Sequence, residues 1–150
     1  MGFFDGYNVA TSGMSAQRTR INMVSSNIAN AQTTHTTDGG PYKKQNVVFE
    51  EILLDATKNN NKEKPSTNID PLALRGVGVR EIIDSKDKPI LKYEPEHPDA
   101  NKDGYVAYPN INPVIEMVDL IEAMRSYEAN VSAFKTQKDM DTKTLDIIKM

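Results

Sequence analysis

Apolar side chains recur at alternating steps of four and three along the C-terminal stretch from Pro113 to Met150. Leu120, Met124, Tyr127, Val131, Phe134, Leu145 and Ile148 fall on one register, which only Lys138 and Asp141 interrupt with charge. That spacing is a heptad seam, the pattern of a helix that packs lengthwise on another. Asn112 suits the N-cap and Pro113 the first helical position, where a missing N–H costs nothing, and neither Gly nor Pro follows. A helix from Pro113 to near Met150 is about 55 Å long, too long for the interior of one small domain. It requires a partner along its length.

A second register of the same period runs from Asn8 to Ala31 through Ala10, Met14, Gln17, Ile21, Val24, Ile28 and Ala31. Gly13 costs this helix about 1 kcal/mol relative to Ala, and Gln17 places an amide on the seam, so the segment is a weak helix by itself. Its seam is light where the C-terminal one carries Tyr127 and Phe134, and small against large is how facing layers interdigitate. The terminal helices are expected to pair with each other or with the same helices of neighbouring subunits. Two amphipathic helices laid on one globular core would give the same periodicity.

Between them, the tract Gln32–Pro41 is rich in Thr, Gly and Pro, which ends the first helix and opens a turning segment. Tyr42–Phe49 reads as a strand that continues toward Leu54, and Leu72–Ile83 alternates well enough to be another. Gly76 and Gly78 lie in the latter without the spacing or following helix of a phosphate loop. Pro89–Tyr93 and Tyr105–Tyr108 are short candidate strands, and Lys58–Ser66 is too polar to bury anything. The expected fold is α+β, with long N- and C-terminal helices pairing as a coiled-coil-like domain (1–31 plus 109–150). A small β-rich insert of three to five strands (32–108) lies between them, with a flexible loop at about 57–68.

Composition narrows the classes. The net charge is −3, from 18 basic and 21 acidic residues, which makes no electrostatic case for nucleic acid or an anionic membrane. Cysteine is absent, so thiolate catalysis, disulfides and zinc–thiolate sites are excluded. No window approaches the roughly 18 apolar residues of a membrane span, and the start lacks the basic and apolar regions of a cleaved signal. Gly6 stands where a myristoylation motif needs Ser or Thr.

The sharpest chemical motif is Asp99, Asn101 and Asp103 followed by Gly104, the first half of a calcium loop. Position twelve of that loop is Asn110 rather than a bidentate Glu, and Asp-Gly is ordinary turn chemistry. The turn reading is preferred, and a calcium-binding periplasmic protein is the alternative from a different class. His35 lies among threonines as a solvated loop residue, and His97 has no second catalytic partner. Neither a hydrolase motif nor a P-loop occurs, so no enzyme, cofactor or small-molecule substrate is expected.

Several tracts carry a resemblance. Ser12–Arg18 is followed by Ser25–Thr33, within which Ser26, Asn27, Ile28, Ala29, Asn30 and Ala31 form the most specific part. Gly39–Lys44 with Val47–Phe49, His97–Ala100, Asp103–Asn110, Asn112–Pro113, Glu116–Ala123 and Arg125–Val131 complete it. Together these resemble the axial (rod and hook) proteins of the bacterial flagellum, over nearly the whole chain. The His97–Asn110 segment is similar to a proximal rod member rather than another rod or hook-proximal subunit, which is the runner-up. Departures are confined to the loop 59–66 and to Ile28 and Ile111, where other aliphatics are usual.

The resemblance implies a structural subunit of the proximal rod in the basal body, crossing the periplasm and self-assembling into a helical tube that transmits torque from motor to hook. It implies, as partners, copies of the chain, other rod subunits, the inner-membrane ring and rod-adaptor proteins. Export through the type III apparatus as an unfolded chain, without a cleaved signal, is implied too. The two seams named above are then the expected assembly interface, with folding of the ends coupled to assembly.

Overall fold

The long C-terminal helix begins as its cap chemistry dictates. Asn112 is extended (φ −98°, ψ 107°) and its side-chain oxygen accepts a hydrogen bond from the Val114 N–H at 3.0 Å, with Pro113 at the first helical position. The helix runs to Ile148, 36 residues with neither Gly nor Pro after Pro113 to break it. The computed structural model describes residues 5–37, 39–54 and 74–149. Within them the order is α1 (Asp5–Ala29), β1 (Gln45–Leu53), β2 (Arg75–Asp84), β3 (Ile90–Tyr93), β4 (Tyr105–Tyr108) and α2 (Pro113–Ile148). The loop expected at 57–68 lies outside the described residues, as does Leu72, the expected start of the second strand.

The first helix stops at Ala29 rather than at Ala31. The Ser26 carbonyl accepts from both the backbone N–H (3.0 Å) and the side-chain amide (2.9 Å) of Asn30, and Asn30 in turn holds Thr33 through its carbonyl and its Oδ1. A polar side chain that takes over backbone bonding in this way competes with another helical turn.

The strands form two separate antiparallel pairs, both in the α+β pattern. β1 and β2 are in register from Gln45 opposite Asp84 to Leu53 opposite Arg75, with an irregularity between Val48 and Phe49. β3 and β4 pair from Ile90 opposite Tyr108 to Tyr93 opposite Tyr105. Two-stranded ribbons are marginal alone, and the first is docked on α1 by Ser12, whose Oγ accepts from the Val77 N–H at 3.2 Å and donates to the Val9 carbonyl at 2.7 Å. In the second, Val106 is fully buried, and buried Pro109 and Ile111 continue toward α2.

α1 and α2 pack antiparallel, and the α1 residues that make their close contacts recur every seven positions. Gly6 faces Gln137, Gly13 faces Asn130, Arg20 reaches Asp119 and Glu122 (3.9 Å each), and Asn27 meets Glu116. Gly13 has no room for a side chain, because a Cβ there would lie 2.8 Å from Asn130 Oδ1, in an amide tied to the Ser126 carbonyl at 2.9 Å. At the far end Tyr7 packs edge-on against Phe134 (centroids 4.9 Å apart) and its hydroxyl donates to Asp141 at 2.6 Å. Asp141, which interrupts the apolar register in the sequence, is thus a hydrogen-bond acceptor between the helices.

Gly13→Ala should lower stability to urea by about 1 kcal/mol or more, although Ala is the better helix former by about that amount. In an Asn130→Ala background the space is open, and the same change should raise stability by about 1 kcal/mol. The same sign in both backgrounds would show that the close approach is not what Gly13 serves.

Candidate functional site

Three elements meet at one buried amide. Asn27, in the last turns of α1, is 1% exposed, and its side chain makes four hydrogen bonds. Nδ2 donates to the Gln45 carbonyl (2.9 Å) and to Glu116 Oε2 (3.1 Å), while Oδ1 accepts from the Gln45 N–H (2.9 Å) and the Tyr42 hydroxyl (3.1 Å). Gln45 opens β1 with its N–H and C=O turned away from β2, and the Asn27 amide pairs with both as a one-residue strand would. Glu116, in the first turn of α2, is also 1% exposed. Its Oε1 lies 2.6 Å from Lys44 Nζ, a charge pair whose angle is poor for a hydrogen bond. A carboxylate so buried is costly unless paired, and here both oxygens have partners.

This joint accounts for most of the motif at 26–31. Ser26 and Asn30 end the helix, Ser26 Oγ lies 3.4 Å from the Tyr42 hydroxyl, and Asn27 ties helix to strand and to α2. Ile28 and Ala31 are half-buried and Ala29 is exposed. Beside the joint a cleft of about 280 Å³ is lined by Arg20, Lys44, Phe49, Glu116 and Asp119, its acidic and basic groups paired with one another.

The seam residues expected from the sequence are distributed as follows. Ala10 and Val24 are buried, and Met14, Gln17 and Ile21 are half-buried, with Gln17 Oε1 left without a hydrogen-bond partner. Leu120, Tyr127, Val131 and Phe134 are half-buried, whereas Met124, Leu145 and Ile148 are exposed. The α2 positions that alternate with Leu120, Tyr127 and Phe134 toward α1 are Glu116, Ala123 and Asn130. Ala123 is fully buried. One residue further round, α2 carries an exposed apolar stripe of Val114, Met117, Val118, Ile121 and Met124. It leads into a shallow groove of about 350 Å³ lined by Tyr127, Glu128, Val131, Ser132 and Lys135.

The Asp99–Gly104 segment is a turn held by its own polar groups. Asn101 Oδ1 accepts from the Asp103 and Tyr105 N–H groups (2.9 Å each), Gly104 takes the positive φ of 79°, and Asp99 Oδ2 accepts from Thr34 at 2.7 Å. His97 Nδ1 accepts from the Asp99 N–H at 3.1 Å, and His35 is exposed. Among the described residues, no group of three or more His, Cys, Asp or Glu side chains is placed to hold a metal ion.

Sequence reasoning gave no role to Tyr7, Tyr42, Lys44, Gln45 or Glu116, although Tyr42, Lys44 and Glu116 lie in the tracts that carry the resemblance. Glu116 also carried a local signal, since stepping back four from Leu120 reaches it and puts a charge on the helix register.

The family model described as flagella basal body rod protein matches residues 8–34, and that of the flagellar basal body rod FlgEFG protein C-terminal region matches 102–147. The flagellar basal-body rod protein FlgC of Borreliella burgdorferi is 43% identical over 157 residues, covering 99% of each chain. Proteins of the same description are 40% identical in Aquifex aeolicus (99% of each chain) and 39% in Bacillus subtilis (97% of this chain and 98% of that one).

Asn27→Ala would strip partners from the Gln45 backbone, Tyr42 and a buried carboxylate, and should cost about 3 kcal/mol or more in urea unfolding. Glu116→Gln keeps an acceptor for Asn27 and should cost less, about 1–2 kcal/mol. The reverse order would place the anchor on Glu116 instead. At the other end of the helix pair, the Tyr7 hydroxyl is pushed up to about 12, first by its hydrogen bond to Asp141 and then by burial and the Asp141 and Asp139 charges. A native value above the usual 10 gives stability that is complete below pH 10 and lost as pH rises toward 12. Tyr7→Phe should therefore show a shallower fall in urea stability than wild type across that interval, and equal slopes would contradict the shift.

Proposed function

The chain belongs to the flagellar basal-body rod protein family and is a structural subunit of the rod rather than an enzyme, and on that premise we propose that the apolar stripe of α2 is its docking surface. The observation that carries this reading is an inversion of the usual helix pair. Small and polar side chains line much of the contact between α1 and α2, with Tyr7 against Phe134 at one end, while Val114, Met117, Val118, Ile121 and Met124 stand exposed along one face. Side chains of that size leave water when another helix lies along them, at roughly 25 cal/mol per Å² of apolar surface. On this reading the occupant is a helix of a neighbouring copy of the chain, and the groove beside Val131 extends the same surface.

In this reading residues 1–31 with 109–150 form the helical rod core, a coiled-coil-like unit once the neighbours are in place, and 32–108 form an insert carried on it. The seam residues that point away from the partner helix, Met124 foremost, serve assembly; those against it, such as Ala10 and Val24, serve the subunit. Contacts between subunits are heterologous and open, as growth of a helical tube requires. Torque then passes through packed helices, without any reactive group. The inner-membrane ring, the rod adaptors and the type III export apparatus are the further partners proposed, with the rod spanning the periplasm and the chain exported without a cleaved signal.

Val118→Asp and Ile121→Asp test the surface. Both side chains are more than half exposed, so monomer stability should change by no more than about 0.5 kcal/mol. Incorporation into basal bodies, read by immunoblot of purified basal bodies, should be lost. Normal incorporation of both would remove the stripe from the interface.

A further inference from the structure

The stripe contains two methionines, and their placement has a chemical consequence. Met117 and Met124 are 50% and 47% exposed, one heptad apart, and flank Ile121 on the same face of α2. Met14 and Met23 on α1 are half-buried. Met140 is as exposed as the stripe methionines, at 51%, but lies roughly 160° round the helix from Met124. We propose that Met117 and Met124 are peroxide-oxidation sites whose sulfoxides exclude a subunit from docking, which makes the stripe a redox-sensitive surface. This rests on the docking reading above.

The reaction needs only a hydroperoxide. The thioether sulfur attacks the distal oxygen, an S–O bond forms as the O–O bond breaks, and sulfur loses the two electrons that the peroxide gains. The proton leaves with the departing oxygen as water or an alcohol. The product is a polar, strongly accepting group in place of a flexible apolar one. Its stripe neighbours Val114, Val118 and Ile121 have no side-chain donor to offer it. In the free subunit the new oxygen is satisfied by water, so folding is spared. In the docked state that water is expelled and the acceptor is left unpaired, which penalises association alone. Sulfoxides are reducible enzymatically, so exclusion is reversible.

The test uses the wild-type chain with Met140 as its internal control. Purified protein is treated briefly with hydrogen peroxide to partial oxidation, and peptide mass spectrometry reads each methionine. Met117, Met124 and Met140 should take up oxygen faster than Met14 and Met23; slow uptake at 117 and 124 overturns the proposal. The mixture is then passed over immobilised, unoxidised copies of the chain. Sulfoxide at 117 and 124 should be depleted about tenfold in the bound fraction relative to the input, with Met140 sulfoxide equal in both. Equal distribution at all three overturns the redox proposal while leaving the docking surface standing. Failure of unoxidised protein to bind at all instead overturns self-docking, and the proposal with it.

Discussion

The amide of Asn27 is the constraint on which the rest depends. Among the described residues it is the one side chain bonded at once to the first residue of β1, to Tyr42 before it and to the first turn of α2. The fit is specific to Asn. Asp has no donors for the Gln45 carbonyl or for Glu116, and Gln would carry the amide one methylene too far for a pair of 2.9 Å bonds to one residue's N–H and C=O. With the amide in place, Lys44 falls beside Glu116 and neutralises a carboxylate that would otherwise be buried unpaired. The start of the ribbon, the end of α1 and the start of α2 are thereby set by one group, and the antiparallel register of the two helices follows from there toward Tyr7 and Asp141.

Along that register the helices meet through Gly6, Gly13, Arg20, Ala123, Asn130 and Gln137, with Tyr7 against Phe134 as the large aromatic pair at one end. Small residues bring the backbones close, and polar partners select one alignment, since a slip would strand amides and charges without partners. Such a seam trades stability for register. The core is correspondingly thin: the buried apolar residues are Ala10, Ala16, Val24, Val106, Pro109, Ile111 and Ala123 among those described. Large side chains are present in the chain, but on α2 many of them face outward.

Much of this architecture was legible in the residues. The period of both helices, the Asn112–Pro113 start and the ends of β3 and β4 follow from local chemistry, which neighbouring residues alone decide. Which of two adjacent registers faces the partner helix did not follow. Ala10, Gln17 and Val24 belong equally to a register with Met14, Ile21 and Ile28 and to one with Gly13, Arg20 and Asn27. A hydrophobic pattern selects the first, yet α2 lies close to the second, because steric closeness and hydrogen bonding decide there. The motif at 26–31 was recognisable as a unit, but its partners Tyr42, Gln45 and Glu116 lie up to 89 residues away, beyond any local signal. The Asp99–Gly104 turn shows the opposite case, where Asn101 bonds only within its own few residues and its role is readable from Asn-Lys-Asp-Gly.

The division between a polar interior seam and an apolar outer stripe also bears on how a loaded subunit yields. The joint is built from hydrogen bonds of 2.9–3.1 Å around one planar amide, which weaken steeply with misalignment and so resist any change of register within the chain. Apolar contact is non-directional and varies smoothly with area, so two helices held by Val118 and Ile121 can shift slightly against each other without losing a discrete bond. On the docking reading, strain in an assembled rod would therefore be taken up between subunits before it distorts one. On that reading each subunit would keep its own geometry because its internal contacts are directional, and a torque-bearing tube would accommodate bending because the contacts between its subunits are not.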